Sequence, residues 1–472
     1  MQHYNSQRIC NRYLNQSNLC LVLTDEIHYT VSKVSTHFGD CEKMKITNDS
    51  SSVNKVSRRT AMKFTLATAF SSYLSAAESR LAAITGMSVI RVRKKQDKGR
   101  HDTLLEISTN MEVSGYGGPF LDHQAKNLEK LLPQIQKLLV GSESLQRTTD
   151  FEWIWSQLYP NNPISAYAKG LDPLTGKSHW NTRRKARHTP TGSVVTALSA
   201  VDNALWDLRG KLANQPVYCL LGGKREKLRS YLSMTPEDDL TATRRRAKEL
   251  FDMGHTVQKW FLRFGPPDGK AGFAKIVGLV EGLRTDLGEK AKLMFDFAVS
   301  GRGRKDWDVD YAVRVAKAIQ PFNPTWLEEP FSPEEIDCYR RLKGETDITL
   351  ATGEHTYSRW NIKPFLDEKL VSYVQSDPEW CGGISELLQV CKLVSKYRNV
   401  QVIPHGHHVL AAAQTVASQP ESLCPMVEYG RSWVVPRQRC QTRMVEPEAG
   451  YVQTPNEPGL GPSVDWSRCE RL

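Results

Sequence analysis

The chain has 472 residues, of which 40% are hydrophobic and 24% charged, and its formal net charge is +11. This length and composition are typical of a globular protein with a large core, and no apolar run approaches the ~18 residues of a membrane span. Basic clusters such as TRRRAK (243–248) lack the interleaved aromatic residues of a nucleic-acid surface. We therefore expect no nucleic-acid partner, and an acidic small-molecule substrate would suit the positive charge.

The segment VSRRTAMKFTLATAFSSYLSAA (56–77) has the pattern of an export signal. A basic start, a short apolar stretch and an exit of small residues are typical of signal peptides, and the paired Arg58 and Arg59 resemble a twin-arginine signal. We predict that residues 1–86 are a leader and that the mature protein is periplasmic or exported, without membrane contact. The alternative is a cytoplasmic protein. Because a long segment precedes the signal, Met44 is an alternative start.

The segment after the leader has an α+β pattern. MSVIRVRK (87–94) and TLLEISTNMEVSGYG (103–117) predict two strands of a hairpin, because apolar and β-branched residues alternate with polar ones. AKNLEKLLPQIQKLLVG (125–141) has helical periodicity and a glycine stop. VVTALSAVDNALWDLRGKLANQ (194–215) predicts a long helix that is apolar nearly all round and therefore buried. We assign residues 87–225 to one N-terminal domain.

From residue 226 onward, short apolar strands alternate with helical patterns. This alternation predicts a parallel βα barrel over residues 226–430. Residues 431–472 are rich in Pro and Gly, and we expect them to pack back onto the N-terminal domain. The predicted strands are RSYLSM (229–234), TVQKWFLR (256–263), KLMFDF (292–297), TWLEE (325–329), ITLATGE (348–354), SYVQSD (372–377), VQVIPH (400–405) and PMVEY (425–429).

Acidic side chains and a histidine stand where five consecutive predicted strands end. The carboxyl ends of barrel strands converge on one mouth, where functional residues lie. Acids gathered there repel one another unless a cation neutralises them, and all-oxygen ligands suit Mg²⁺. Successive strand residues face opposite ways, so only one of two adjacent glutamates can point into the mouth. The five strand ends are Asp296, Glu328 or Glu329, Glu354, Asp377 and His405.

Asp377 and His405 end neighbouring predicted strands and suit an acid/base dyad. An aspartate that accepts a hydrogen bond from one imidazole nitrogen fixes the tautomer and leaves the other nitrogen free as a base. His407 and His408 are alternatives, although they lie beyond the strand end. His355 also lies at the rim.

Together these motifs resemble the enolase superfamily, specifically its mandelate racemase subgroup. ALSAVDNALWDLRGK with the following PVYCLLGG (197–223) resembles the subgroup's helix motif, and LMFDF, WLEEP, TGEH, QSDPEWCGG and IPHG resemble its metal and acid/base strand ends. KWFLRFGP (259–266), GEH, WCGG and PHG are similar to L-rhamnonate dehydratase and related acid-sugar dehydratases. The resemblance covers about residues 87–440. It implies a modified (β/α)7β barrel with an N-terminal α+β capping domain that the C-terminal segment completes.

The resemblance also implies an activity and a role for each site residue. The activity is that of a hydro-lyase that uses one Mg²⁺ per subunit, removes the C2 proton of a sugar acid and eliminates its 3-hydroxyl to give a 2-keto-3-deoxy acid. The family commonly forms homo-oligomers, which we expect here. The implied residues are Asp296, Glu328 and Glu354 as metal ligands, His405 with Asp377 as the acid/base dyad, His355 at the departing group, and Glu428, Lys259 and Arg263 as substrate contacts.

The second strand departs from the racemase pattern. It has Gln258-Lys259-Trp260-Phe261 where many racemases carry a Lys-x-Lys pair. Inversion at C2 needs bases on both faces, so one histidine without an opposing lysine favours elimination. The alternatives are a racemase or epimerase that uses Lys259 as the second base, and a non-catalytic binding protein on the same barrel.

Overall fold

The computed structural model describes residues 82–97, 99, 101–120, 122–141, 190–297 and 307–472. Residues 1–81 of the predicted leader, with its signal at 56–77, lie outside these ranges, so its export function stays a prediction. The first strand begins at Ile84, within the last residues that we assigned to the leader. Among the helices within them, none combines the length and the apolar character that a membrane-spanning helix requires.

In the described part of the N-terminal region, an antiparallel sheet carries two long helices. A turn at residues 110–112, where Glu112 has a positive φ of 58°, divides the predicted strand 103–117 in two. The fourth strand of the sheet comes from the end of the chain, and the strand order is β13-β1-β2-β3. The elements are β1 (Ile84–Lys94), β2 (Asp102–Thr109), β3 (Ser114–Phe120), α1 (Asp122–Leu139), α2 (Pro190–Leu212) and β13 (Cys469–Arg471). This unit is the capping domain.

Helix α2 packs directly on strand β3. A Cβ atom on Gly115 or Gly117 would lie 2.2 Å from the carbonyl oxygen of Ala204 or 2.1 Å from that of Ala200, respectively. Glycine is therefore needed at these two positions to let the helix approach the strand. The apolar side chains of α2 fill the capping core together with those of β2 and α1. The position of α2 over the sheet is thereby set.

Within the described ranges, eight parallel strands form a curled sheet in the order β11-β4-β5-β6-β7-β8-β9-β10, as the sequence predicted. The N–H of Val402 donates to the carbonyl of Leu423 at 2.9 Å, so the two ends of the sheet lie side by side. The strands are β4 (Lys227–Met234), β5 (Val257–Phe261), β6 (Lys292–Asp296), β7 (Trp326–Glu328), β8 (Leu350–Thr352), β9 (Tyr373–Val374), β10 (Gln401–Val402) and β11 (Met426–Gly430).

Helices cover the outside of this sheet, and the main hydrophobic core lies between the two layers. Short 3-10 turns occur at Pro266–Asp268 and Gln320–Phe322. The helices are α3 (Val217–Leu220), α4 (Leu240–Asp252), α5 (Gly269–Leu287), α6 (Val309–Ile319), α7 (Ile336–Glu345), α8 (Arg359–Asp367), α9 (Ile384–Val394), α10 (Val409–Ser418) and α11 (Arg431–Arg437).

The inside of the barrel is layered. Side chains alternate along a strand, so residues two positions apart face the same side. A buried apolar layer on five of the strands consists of Val257, Met294, Trp326, Ile403 and Met426. Two positions further along, the same strands carry Lys259, Asp296, Glu328, His405 and Glu428. The strand period therefore places a polar layer above an apolar floor, at the carboxyl ends of the strands.

The C-terminal segment joins both sheets. Strand β12 (Tyr451–Gln453) pairs antiparallel with β4, on the barrel. Strand β13 pairs antiparallel with β1, with Arg471 opposite Val92. The guanidinium of Arg471 also lies 2.7 Å from the carboxylate of Glu106 on β2. The last residues of the chain therefore complete the capping sheet.

Candidate active site

The ammonium group of Lys259 lies among the acids of the polar layer, and its side chain is 1% exposed. Its Nζ is 2.5 Å from Oε1 of Glu328, 2.9 Å from Oε1 of Glu428 and 3.3 Å from Oδ2 of Asp296. Burial opposes the charge of a lysine, but these carboxylates outweigh it and hold the pKa of Lys259 well above its ordinary value. Lys259 is a buried cation that compensates acids, and its predicted contact with substrate stays a prediction.

Glu328 points into the barrel. Its Oε1 accepts from Lys259, and its Oε2 accepts from the indole N–H of Trp326 at 3.1 Å and from the amide of Gln375 at 2.7 Å. Burial raises the pKa of Glu328 well above its ordinary value, and Lys259 opposes that shift. Of the two adjacent glutamates, the first is therefore the one that faces the acid cluster.

Glu329 turns the other way, with a positive φ of 37°. Its Oε2 lies 2.7 Å from Nδ1 of His355, while its Oε1 accepts from the hydroxyl of Thr352 at 3.1 Å and from the N–H of Gly353 at 3.3 Å. These bonds tie the end of β7 to the turn that follows β8. Sequence reasoning gave Glu329 no role, yet its carboxylate holds one of the rim histidines.

Glu354 lies between the two imidazoles of the site. Its Oε1 is 3.0 Å from Nδ1 of His355, and its Oε2 is 3.1 Å from Nε2 of His405. Burial would lower the pKa of His355, but Glu329 and then Glu354 raise it to about 9. His355 is therefore a cation at neutral pH, enclosed by carboxylates.

His405 and Asp377 form the expected contact. Nδ1 of His405 lies 2.6 Å from Oδ2 of Asp377, whose carboxylate also accepts the N–H groups of Glu379 at 2.7 Å and His407 at 3.0 Å. Asp377 is fully buried. Burial would lower the pKa of His405, but Glu354 and the Asp377 hydrogen bond raise it to about 10. The second ring nitrogen, Nε2, is directed at the acid cluster.

Trp380 packs against these imidazoles. Its ring centroid is 4.8 Å from that of His405, 5.5 Å from that of His355 and 5.1 Å from that of His407. The same indole belongs to the apolar core of the capping domain. Sequence reasoning quoted this tryptophan within QSDPEWCGG but gave it no role. Its place three residues after Asp377 is the signal that could have identified it.

Glu428 and Arg263, both predicted to contact substrate, have different surroundings. Glu428 is fully buried, and its Oε2 accepts the N–H of Gly406 at 3.1 Å while Oε1 faces Lys259. Arg263 donates to the carbonyl of Pro236 at 3.0 Å and pairs with Asp238 at 2.8 Å. The structure therefore brings Glu428 into the acid cluster and directs Arg263 to the loop after β4.

Two sets of residues are candidates for holding a metal ion, and among the described residues only the first has its donor atoms in one close group. Donor atoms of Glu329, Glu354 and His355 lie within 4.8 Å of one another, and this group shares Glu354 with the set predicted from the sequence. In that group, however, the imidazole already makes close contacts with both carboxylates. The predicted set of Asp296, Glu328 and Glu354 offers oxygen alone, which is the donor chemistry of Mg²⁺. Lys259 already supplies positive charge to Asp296 and Glu328, so the fit to the ion depends on the all-oxygen donor chemistry.

Two family models match the chain. The model described as Enolase C-terminal domain-like matches residues 242–468. The model described as Mandelate racemase / muconate lactonizing enzyme, N-terminal domain, matches residues 163–222.

The chain is similar to an L-rhamnonate dehydratase from Saccharopolyspora erythraea, with 33% identity over 264 residues. The match covers 55% of this chain and 57% of that protein, so the chain spans little more than half the length of this relative. It is also similar in structure to the 3,6-anhydro-D-galactonate cycloisomerase from Zobellia galactanivorans, with a TM-score of 0.63 and 24% identity over 82% of this chain and 97% of that chain.

A member of the enolase superfamily from Salmonella Typhimurium has a TM-score of 0.66 and 20% identity, and covers 83% of this chain and 100% of that chain. At these identities, the likeness to solved structures shows the fold. Together with the matched family models, it shows that the chain belongs to the enolase superfamily, in the branch of mandelate racemase and muconate lactonizing enzymes.

Proposed function

We propose that this enzyme is a Mg²⁺-dependent acid-sugar dehydratase. Membership of the superfamily and the similarity to an L-rhamnonate dehydratase support a dehydratase-like enzyme. The observation that carries the finer proposal is the contact of His405 with both Asp377 and Glu354, at 2.6 and 3.1 Å. It joins an oriented imidazole to a carboxylate of the all-oxygen ligand set.

Asp296, Glu328 and Glu354 would hold the ion, because they supply oxygen ligands from neighbouring strand ends. A bound Mg²⁺ supplies positive charge that stabilises the substrate carboxylate as the adjacent proton leaves. Glu354 is also the carboxylate nearest to Nε2 of His405. Any charge that neutralises Glu354 therefore lowers the pKa of His405 and favours the free Nε2 that a base requires.

In the proposed reaction, Nε2 of His405 takes the proton from C2 of the sugar acid. The electrons of the C2–H bond form a C2=C3 double bond, and the C3–O bond breaks. His355, a cation between Glu329 and Glu354, gives a proton to the departing hydroxyl, which leaves as water. The resulting enol tautomerises to a 2-keto-3-deoxy acid. Glu329, which is not in the proposed ligand set, is the main carboxylate that raises the pKa of His355, and it supports this acid role.

The surroundings of Lys259 favour elimination over racemisation. A second base would have to reach C2 from the face opposite His405. The ammonium group of Lys259 is buried and faces the carboxylates of Glu328, Glu428 and Asp296, so it is a poor candidate for that base. A non-catalytic binding protein would not need the buried pairing of His405 with Asp377.

A screen of sugar acids with MgCl₂, beginning with L-rhamnonate, tests the proposal by an assay for 2-keto acids. His405→Asn should abolish turnover and keep Mg²⁺ affinity within about twofold. His255→Asn is a matched control, because His255 is also a buried histidine but lies in the loop before β5. Deuterium exchange at C2 without loss of water would indicate an epimerase instead, and full activity of His405→Asn would remove it as the base.

A further inference from the structure

Four polar or aromatic residues of helix α2 lie on one face. Ser199, Asp202, Asn203 and Trp206 follow the spacing i, i+3, i+4, i+7, which aligns side chains along a helix. The first three are at most 4% exposed, although the rest of the helix is mainly apolar. We call these four residues the α2 polar stripe. Buried polar groups destabilise a protein unless they are hydrogen-bonded, so the bonds of the stripe need an explanation.

The stripe binds the backbone of residues 378–385, which comprise the loop after Asp377 and the first two residues of α9 and are here called the Trp380 loop. The amide of Asn203 donates to the carbonyl of Pro378 at 3.0 Å, and its oxygen accepts the N–H of Ile384 at 3.1 Å. The hydroxyl of Ser199 accepts the N–H of Gly382 at 2.8 Å. Asn203 therefore joins the start of the loop to its end.

The second half of the loop is held as tightly. Asp202 accepts the N–H of Ser385 at 2.8 Å and its hydroxyl at 2.6 Å, and the indole of Trp206 donates to the same hydroxyl at 2.9 Å. Gly383 has a positive φ of 94°, and a Cβ there would lie 2.3 Å from Oδ2 of Asp202. Gly383 of WCGG thus lets the loop backbone meet the helix.

The other side of the Trp380 loop contacts His405. Asp377, directly before the loop, accepts the N–H groups of Trp380 and Cys381 on its carbonyl, at 2.9 and 2.7 Å. Its carboxylate bonds Nδ1 of His405, and the ring of Trp380 packs on the imidazole at an interplanar angle of 33°. Asp377 and the loop that follows it therefore carry the two groups that orient the imidazole, and the capping domain holds that loop.

We infer that the α2 polar stripe positions His405 through the Trp380 loop, and that Asn203 is its principal positioning residue. The capping core is made by other, apolar faces of α2, so folding of the cap does not require these polar groups. They satisfy loop backbone that would otherwise be buried without partners. The inference rests on the proposed role of His405 with Asp377. By this inference, the capping domain covers the barrel and also helps to position the acid/base dyad.

Asn203→Ala removes the bonds to the backbone of Pro378 and Ile384 and should lower kcat about 10- to 100-fold, because small displacements of a reacting group are that costly. KM and the Mg²⁺ affinity from calorimetry should stay within about twofold. Ser199→Ala removes one bond and should give a smaller fall. The matched control is Asp207→Asn, one turn beyond Asn203 on α2, because its carboxylate accepts the N–H groups of Tyr116 and Leu460 at 2.9 Å and none from the Trp380 loop among the described contacts. Asp207→Asn should lower Tm and keep kcat within about threefold of the wild-type value.

A second readout needs no substrate. The Nδ1 proton of His405, bonded to Asp377, should give a downfield NMR resonance that His405→Asn lacks. This resonance should shift or broaden in Asn203→Ala and Ser199→Ala, and remain in place in Asp207→Asn. If it is unchanged in both stripe variants, or if kcat falls only in proportion to Tm in all three, the inference is wrong. Absence of turnover of every sugar acid by the wild type would overturn the proposed function, and the resonance would still test the stripe.

Discussion

Asp202 lies buried on the α2 polar stripe, and its replacement by asparagine should stabilise the protein at neutral pH. Its carboxylate accepts the N–H and the hydroxyl of Ser385. Burial raises the pKa of Asp202 from 3.8 to about 6, and these hydrogen bonds offset only part of the shift. Compared with the unfolded state, the folded state therefore disfavours the charged form of Asp202. Asparagine imitates the neutral form at every pH.

The sign and size of the effect follow from linkage. Because the pKa of Asp202 is higher in the folded than in the unfolded state, the folded state binds more protons between about pH 4 and pH 6. The stability that this group contributes is complete below pH 4 and is lost as the pH rises through 6. The interval from 3.8 to about 6 corresponds to about 3 kcal/mol. The free energy of unfolding of Asp202→Asn should exceed that of the wild type by about 1.5 kcal/mol near pH 5 and by about 3 kcal/mol at pH 8.

Urea unfolding at four pH values from 5 to 8 measures this difference in the free energy of unfolding. Asp207→Asn is again the matched control, because Oδ2 of Asp207 lies 2.6 Å from Nζ of Lys211. Removal of that paired carboxylate should destabilise the protein at pH 8. The two variants on one helix should therefore change the free energy of unfolding in opposite directions. The reasoning is refuted if Asp202→Asn is no more stable than the wild type at pH 8, or if the difference is constant from pH 5 to pH 8.

The remaining predictions concern the acid cluster, the leader and the assembly. Lys259→Met should cost about 3–5 kcal/mol of stability without Mg²⁺, since it leaves buried carboxylates unpaired, and Mg²⁺ should raise its Tm more than that of the wild type; an equal response contradicts the role of Lys259. Glu354→Gln should weaken Mg²⁺ binding at least about tenfold in calorimetry, and an unchanged affinity removes Glu354 from the ligand set. His355→Gln should lower kcat with little change in Mg²⁺ affinity, and full turnover would exclude it as the acid. N-terminal sequencing of the mature protein should begin after residue 77, and a full-length cytoplasmic chain would contradict export. Sedimentation should show a homo-oligomer, and a monomer at all concentrations would contradict that expectation.

The order of the barrel strands could be predicted because it depends on local pattern. Each strand is a short apolar run followed by a helical period, and parallel strands with such connections form one curled sheet. The strand boundaries were less well predicted in the capping domain. There a turn at residues 110–112 divides one predicted strand, and the alternation of apolar residues on either side of it concealed the break.

The positions of the site residues could also be predicted, but their partners could not. Asp296 and Glu328 end adjacent strands in register, as the repeat of acids indicated. That Lys259 pairs with both depends on the curvature of the sheet, which brings side chains from different strands together. Glu329 was expected to point away from the mouth, but its bond to His355 follows from the turn after β8.

The sequence by itself determined that this chain folds as an enolase-type βα barrel and that carboxylates and a histidine stand at consecutive strand ends. Both depend on the period of the strand and on the spacing of βα units. These are local patterns, so each segment of the sequence specifies its own part of them. Only the tertiary structure decided that a buried lysine compensates the acids, that Trp380 packs on the imidazoles and that α2 holds the loop behind them. These contacts join residues distant in the chain, and no local pattern encodes which of them meet once the core is packed.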